Sequence, residues 1–274
     1  MFDQSLTRFE RISVTLTFAF SALVIGFLVL PILTIVPLSF NAESILAYPI
    51  KAWSLRWYRV LLDNPIWGTV LRNSLFIGFF ATIISTVLGT LAAVGLNRRA
   101  CPGRGIITAM LMLPMIVPVI ITAVASYFFY SRLGLANSYT GIILAHAILG
   151  APFVVITVAA TLEQFDNNQV RAASSLGAKP LHTFFTVTMP QIAPGVVSGA
   201  LFAFVASFDE VIVAMFLTGS EQITLPRQMF AGIRENLDPT IAAVATIMIV
   251  VSLAILMLAQ VMADRLRKRN ASNA

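Results

Sequence analysis

Charged side chains divide this chain into long apolar stretches. Between one charge and the next lie uncharged runs of 31 residues (Ile12–Ala42), 25 (Asn73–Asn97), 27 (Gly105–Ser131), 30 (Leu133–Leu162), 29 (Pro180–Phe208) and 25 (Pro239–Ala263). An apolar helix needs about 20 residues to cross the hydrocarbon core of a bilayer. A helix also satisfies its own backbone polar groups there, which an open strand does not. The pattern predicts an all-α integral membrane protein with six transmembrane helices, at about 15–37, 73–96, 106–130, 140–162, 194–217 and 239–262. These spans form one transmembrane domain over residues 1–274.

Composition supports that reading. The 274 residues are 58% hydrophobic and 11% charged, whereas a soluble domain is usually about 25% charged. Too few polar side chains exist to cover a water-facing surface, which excludes an ordinary soluble enzyme, a disordered tail and a secreted disulfide scaffold. The net charge of +6 does not point to nucleic acid, because no basic cluster sits on a soluble module. It bears instead on topology. Six spans put both termini on one side, and eleven Lys and Arg fall on that side against seven on the other. The inside set includes Arg98, Arg99, Arg104, Arg171, Lys179 and the quartet Arg265, Arg267, Lys268 and Arg269. The positive-inside rule therefore places both termini in the cytoplasm. The first run is too long for a signal peptide's core and is expected to remain as a span. Cys101, the one cysteine, forms no internal disulfide.

Proline and small residues add detail. Pro31 and Pro37 are expected to mark the end of the first span, Pro114 and Pro118 to interrupt the third, and Pro152 to sit within the fourth. Each is a packing kink or a bend in a helix that lines a path. Small residues recur every four positions at Ala81, Ser85, Gly89 and Ala93, and again at Gly195, Gly199 and Ala203. Such stripes let helices approach closely in lipid. The outside segment 41–72 mixes Trp53, Trp57, Tyr58 and Trp67 with basic residues and is expected to lie along the membrane interface.

The inside segment 163–191 carries the most information. Asp166, Asn167 or Asn168 can cap a helix start, Gly177 can supply the left-handed residue that ends it, and Pro180 suits the first turn of a second helix. A short cytoplasmic helix, a glycine corner and a second helix follow. The short helix serves either as a connector or as a docking element for a groove in another protein.

The spacing Arg171-Ala172-Ala173, three residues, Gly177, nine residues, Val187-Thr188-Met189-Pro190 resembles the coupling loop of binding-protein-dependent ABC importer permeases. That family has Glu-Ala-Ala, three residues, Gly, nine residues and Ile-x-Leu-Pro. Ala172, Ala173, Gly177 and Pro190 match by identity, while Arg171 stands where an acid is usual. Ser207-Phe208-Asp209-Glu210-Val211, Leu225-Pro226 and the stretch 233–247 are similar to the spermidine/putrescine-type subfamily, whose relatives also serve iron, thiamine, opines or other amino compounds. The resemblance implies a type I importer permease bundle in a bacterial inner membrane, with a coupling helix gripped by an ATPase at Arg171, Ala172, Ala173, Ser174, Leu176, Gly177 and Pro190. It implies two ATPase subunits that hold ATP and Mg, a second permease subunit and a periplasmic binding protein. No G-x-x-x-x-G-K-[ST] phosphate loop occurs in this chain, so neither a cofactor nor a catalytic centre is expected on it.

Asp209 and Glu210 are the acids expected inside a span, in the outer half of the fifth. They are either a hydrogen-bonded structural pair or a negative patch that eases the passage of a cation. His146 is expected to bridge helices, and His182 to meet the docked partner or solvent. Two histidines and one cysteine far apart in sequence form no metal site. The expected function is transport of a small cationic amino compound, polyamine first, by alternating access. Another solute of the same family, or an ion-driven carrier or channel, is the alternative.

Overall fold

Uncharged runs become helices here, and their ends fall where a side chain or a proline supplies what the backbone lacks. The computed structural model describes residues 8–97, 101–235 and 239–272. Its helices are α1 (Arg8–Leu38), α2 (Arg56–Asp63), α3 (Pro65–Leu96), α4 (Arg104–Ile116), α5 (Val119–Arg132), α6 (Tyr139–Glu163), α7 (Asn168–Ser175), α8 (Pro180–Thr183), α9 (Met189–Phe208), α10 (Ile212–Leu217), α11 (Leu225–Glu235) and α12 (Thr240–Ser272). A π-helical turn, Phe184–Thr188, joins α8 to α9. Arg98 and Arg99 lie outside the described residues.

Four helical segments are long and apolar enough to cross a bilayer: Ile12–Leu38, Pro65–Leu96, Tyr139–Glu163 and Pro180–Phe208. The pair α4 and α5 is apolar enough together but bent by 102°, the geometry of a broken span or a re-entrant loop. Its break falls at Val117 and Pro118: Val117 is extended (φ −71°, ψ 133°), as a residue before proline prefers. The sixth expected span falls on α12, whose apolar stretch, Thr240–Ile255, is shorter than the other four, so the described residues hold four such spans, or five with the bent pair, rather than six.

α1 runs through Pro31 and ends at Leu38, one residue past Pro37, close to the expected end of the first span. A further expectation changes. The fifth span stops at Phe208, and Asp209–Val211 separate α9 from α10, so the expected helix over 194–217 is two helices and the acidic pair sits at their junction.

The chain separates into two compact units, Asn64–Ala231 with Val250–Ala274, and Met1–Asp63 with Gly232–Ile249. In the first, α3, α6 and α9 pack most extensively on one another. Ala81, Ser85, Gly89, Ala93, Gly195, Gly199 and Ala203 are all buried, so the small-residue stripes form these contacts. A Cβ on Gly89 would stand 2.7 Å from Val154 Cβ, and one on Gly150 would stand 3.0 Å from Ala203 Cβ. Only glycine fits such crossings. The Ser85 hydroxyl is 2.9 Å from the Ala147 carbonyl of α6, and His146 Nδ1 is 2.8 Å from Ser207 Oγ of α9. His146 is thus a buried bridge between helices. In the second unit α1 is exposed along its apolar length.

Candidate coupling helix and membrane path

The helix α7 is bounded by its own sequence. Asp166 Oδ1 accepts the Asn168 N–H at 2.9 Å and supplies the start. At the other end Gly177 takes φ +82°. Its N–H donates to Ser174 O at 3.0 Å, and the Ala178 N–H donates to Ala173 O at 3.1 Å. This pair of bonds is the Schellman arrangement, which satisfies carbonyls left open by the last turn. Lys179 is extended and Pro180 opens α8. The short helix, the glycine corner and the second helix therefore stand where the sequence placed them.

Arg171, Ala172, Ser174, Leu176, Gly177 and Pro190 are exposed, and Ala173 is half-buried. Leu176 is 89% exposed, Leu181 75% and Phe185 64%. Three large apolar side chains beside one short helix make a surface that water disfavours. The sequence reading included Leu176 but not Leu181 or Phe185. Their signal was present, because they lie one and five residues after Pro180, but the exposed face emerges only once α8 and the π-helical turn are built. Arg171 faces a cavity of about 500 Å³ shared with Asn97, Asn167, Thr183 and Thr188. The polar side chains that line this cavity with it come from the C-cap of α3, the N-cap of α7, α8 and the π-helical turn, and no acid among the described residues lines it. His182 is exposed.

A larger cavity, about 1090 Å³, opens between α6, α7 and the start of α9. Thr157 and Thr161 of α6 and Gln164, which caps its end, face Gln191 and Ser198 of α9 across it, and Gln169 of α7 reaches in. The Gln191 amide donates to Gln169 Oε1, tying α7 to α9. Hydroxyls and amides without charge can solvate a polar solute while binding it weakly. The sequence did not single these residues out, since threonines and glutamines scattered over 42 positions (157 to 198) converge only when the helices cross.

Asp209 ends α9 and is exposed; Glu210 is half-exposed. Glu210 Oε1 accepts the Val213 N–H at 2.9 Å, so it caps the first turn of α10. The two acids are neighbours in chain, but only Glu210 has this structural role. Beyond α10 the segment 218–224 is pinned to α3. Asn73 Nδ2 donates to Glu221 O (2.7 Å) and Ile223 O (3.0 Å), the Tyr139 hydroxyl donates to Asn73 Oδ1 at 2.9 Å, and Ser74 Oγ accepts the Leu225 N–H at 2.7 Å. Arg227, whose guanidinium burial pulls below its ordinary pKa, donates to Thr218 O at 2.6 Å.

Comparison with known proteins agrees with this architecture. The spermidine/putrescine transport system permease protein PotC of Haemophilus influenzae is 33% identical over 252 residues, covering 92% of this chain and 96% of that one. The putrescine transport system permease protein PotI of Escherichia coli is 33% identical over 230 residues, covering 81% and 82%. A solved bacterial ABC transporter involved in import of the acidic polysaccharide alginate has a chain that superposes with a TM-score of 0.72 at 17% identity, covering 96% of this chain and 99% of that one. The model of the family described as "binding-protein-dependent transport system inner membrane component" matches residues 85–271, and the chain belongs to that family, the membrane permeases of ABC importers.

Proposed function

We propose that this chain is one of two permease subunits in an ATP-driven importer for polyamines such as spermidine or putrescine, or a similarly small cationic amino compound. The whole chain acts as one permease domain, with both termini and α7 on the cytoplasmic side of a bacterial inner membrane. The observation that carries the reading is the exposed, Schellman-capped α7 between α6 and α9, which holds Ala172, Ala173 and Gly177 at the family spacing. One of two ATPase subunits grips α7 through Arg171, Ala172, Ala173, Ser174, Leu176 and Gly177, with Pro190 fixing the entry into α9. Mg-ATP is hydrolysed on those partners, and a periplasmic binding protein delivers the solute. The Gln169–Gln191 contact lets movement of α7 reach α9 and the polar cavity beside it, as rocking between inward-open and outward-open states requires.

Support for a cationic solute comes from the names of the relatives and from the acids. Asp209, exposed at the end of α9, is the better candidate for drawing a cation to the path. Glu210 is committed to Val213 N. Asp209→Asn should slow uptake of spermidine more than uptake of a neutral analogue, whereas Glu210→Gln should slow both alike. The whole reading is tested by reconstituting the chain with its co-purifying subunits in proteoliposomes and following labelled spermidine. Uptake that requires ATP supports it. Uptake by this chain alone, driven by an ion gradient without ATP, overturns it.

A further inference from the structure

The segment between α1 and α3 is not a slack connection. The Asn41–Trp53 bridge is flanked by Ala42 N–H to Ala52 O (3.0 Å) and Ser54 N–H to Phe40 O (2.7 Å). Trp57, 5% exposed, donates its indole N–H to Asn41 O at 2.7 Å. Ser39 Oγ and the Tyr58 hydroxyl are 2.7 Å apart. The Tyr48 hydroxyl donates to Thr34 O at 2.7 Å. Thr34 lies four residues before the end of α1 at Leu38, or about 6 Å along the helix axis at 1.5 Å per residue. A hydrogen-bonded knot is thus fastened to the wall of a span that is itself exposed along its apolar length.

The knot encloses Trp57 yet leaves other large side chains outside. Leu62 is 80% exposed, Trp53 68%, Ile45 67%, Leu55 56% and Tyr48 54%. Single exposed apolar residues are ordinary, but five on one tied segment mark a surface meant to meet something. Arg56 and Arg59, a turn apart on α2, are exposed as well. Lys51 is paired with Glu43 at 3.2 Å. Indole and phenol rings with guanidinium groups form the chemistry of the boundary between acyl chains and headgroups, and a guanidinium fork matches a phosphate. The position beside the last turn of α1 puts that chemistry at the depth where headgroups lie.

The geometry points to an interfacial anchor: residues 45–62 seat in the headgroup layer at the Leu38 end of α1, with Tyr48, Trp53 and Leu62 at the acyl boundary and Arg56 and Arg59 on phosphates of anionic phospholipid. The anchor fixes the height of α1 in the bilayer. It needs no assumption about the transported solute and stands apart from α7.

The test uses the full chain, with its co-purifying subunits, in nanodiscs. In a Cys101→Ser background, spin labels are placed at Ile45→Cys, Leu62→Cys and, as a water-exposed reference, Glu221→Cys. Accessibility to oxygen and to a nickel chelate is then measured. Labels at 45 and 62 should show an oxygen-to-nickel ratio severalfold above that at 221, in POPC and more so with POPG added. Arg56→Gln with Arg59→Gln should abolish the POPG increment while the POPC value persists. Labels at 45 and 62 as nickel-accessible as 221 would overturn the anchor. So would labels shielded from both reagents, which would assign the surface to a protein partner. A POPG increment unchanged by the double variant would overturn the phosphate contact.

Discussion

Alanine at Gly199 should loosen the α6–α9 crossing by an amount set by its close approach to Val154 and Thr157. A Cβ built there would stand 2.8 Å from Val154 Cα and closer still to Thr157 Oγ1. The threonine hydroxyl can swing away, but the Val154 backbone cannot. Since ordinary van der Waals contact begins near 3.4 Å, the two helices must part by roughly 0.6 Å over a tightly packed stretch. Overpacking of this kind costs about 1–3 kcal/mol. Alanine also returns about 0.5–1 kcal/mol of helix preference over glycine. The net is a loss centred near ~1 kcal/mol. Gly95 of α3 supplies the control, because a Cβ there meets nothing within 4 Å. Gly95→Ala keeps the propensity gain and lacks the clash, so the difference between the two variants isolates the overpacking of about 1–3 kcal/mol. The assay is reversible SDS titration in mixed micelles, run on both variants and the parent chain. Gly199→Ala matching or exceeding Gly95→Ala in stability would refute the reasoning.

Other consequences follow from single contacts. Asn73→Ala removes the donors held by Glu221 O and Ile223 O, at about 0.5–1.5 kcal/mol each, and should raise amide exchange across 218–224 while leaving α6 protected. Gly177→Pro and Ala173→Trp should leave the spans inserted yet uncouple ATP hydrolysis from uptake, read as retained ATPase activity with lost transport. Gly177→Ala should be milder, since one non-glycine residue at φ +82° costs about 1–2 kcal/mol without blocking the docking face.

The spans and α7 were legible in the sequence because each depends on local information. Charge-free runs of the required length can only be helices in lipid, and Asp166, Gly177 and Pro180 each impose a backbone state on their neighbours. Pro118 betrayed the break between α4 and α5 in the same way. The break at Asp209–Val211 was harder, because apolar residues 211–217 continue the hydropathy of the span and conceal its end. Pro37 marked the end of α1 at Leu38, whereas Pro31 left the helix unbroken, because a proline removes only one donor. The knot of residues 39–58 and the cavity lined by Thr157, Gln169 and Gln191 were illegible for a common reason. Both are made of contacts between positions distant in sequence, and periodicity carries no record of such contacts.

The most direct test of the central claim is the neighbour of α7 in the working assembly. With Ser174→Cys in the Cys101→Ser background, a short thiol cross-linker should join this chain to the ATPase subunit, and in intact cells an impermeant maleimide added outside should fail to label it. Labelling from outside, with no cross-link to the ATPase, would contradict the account.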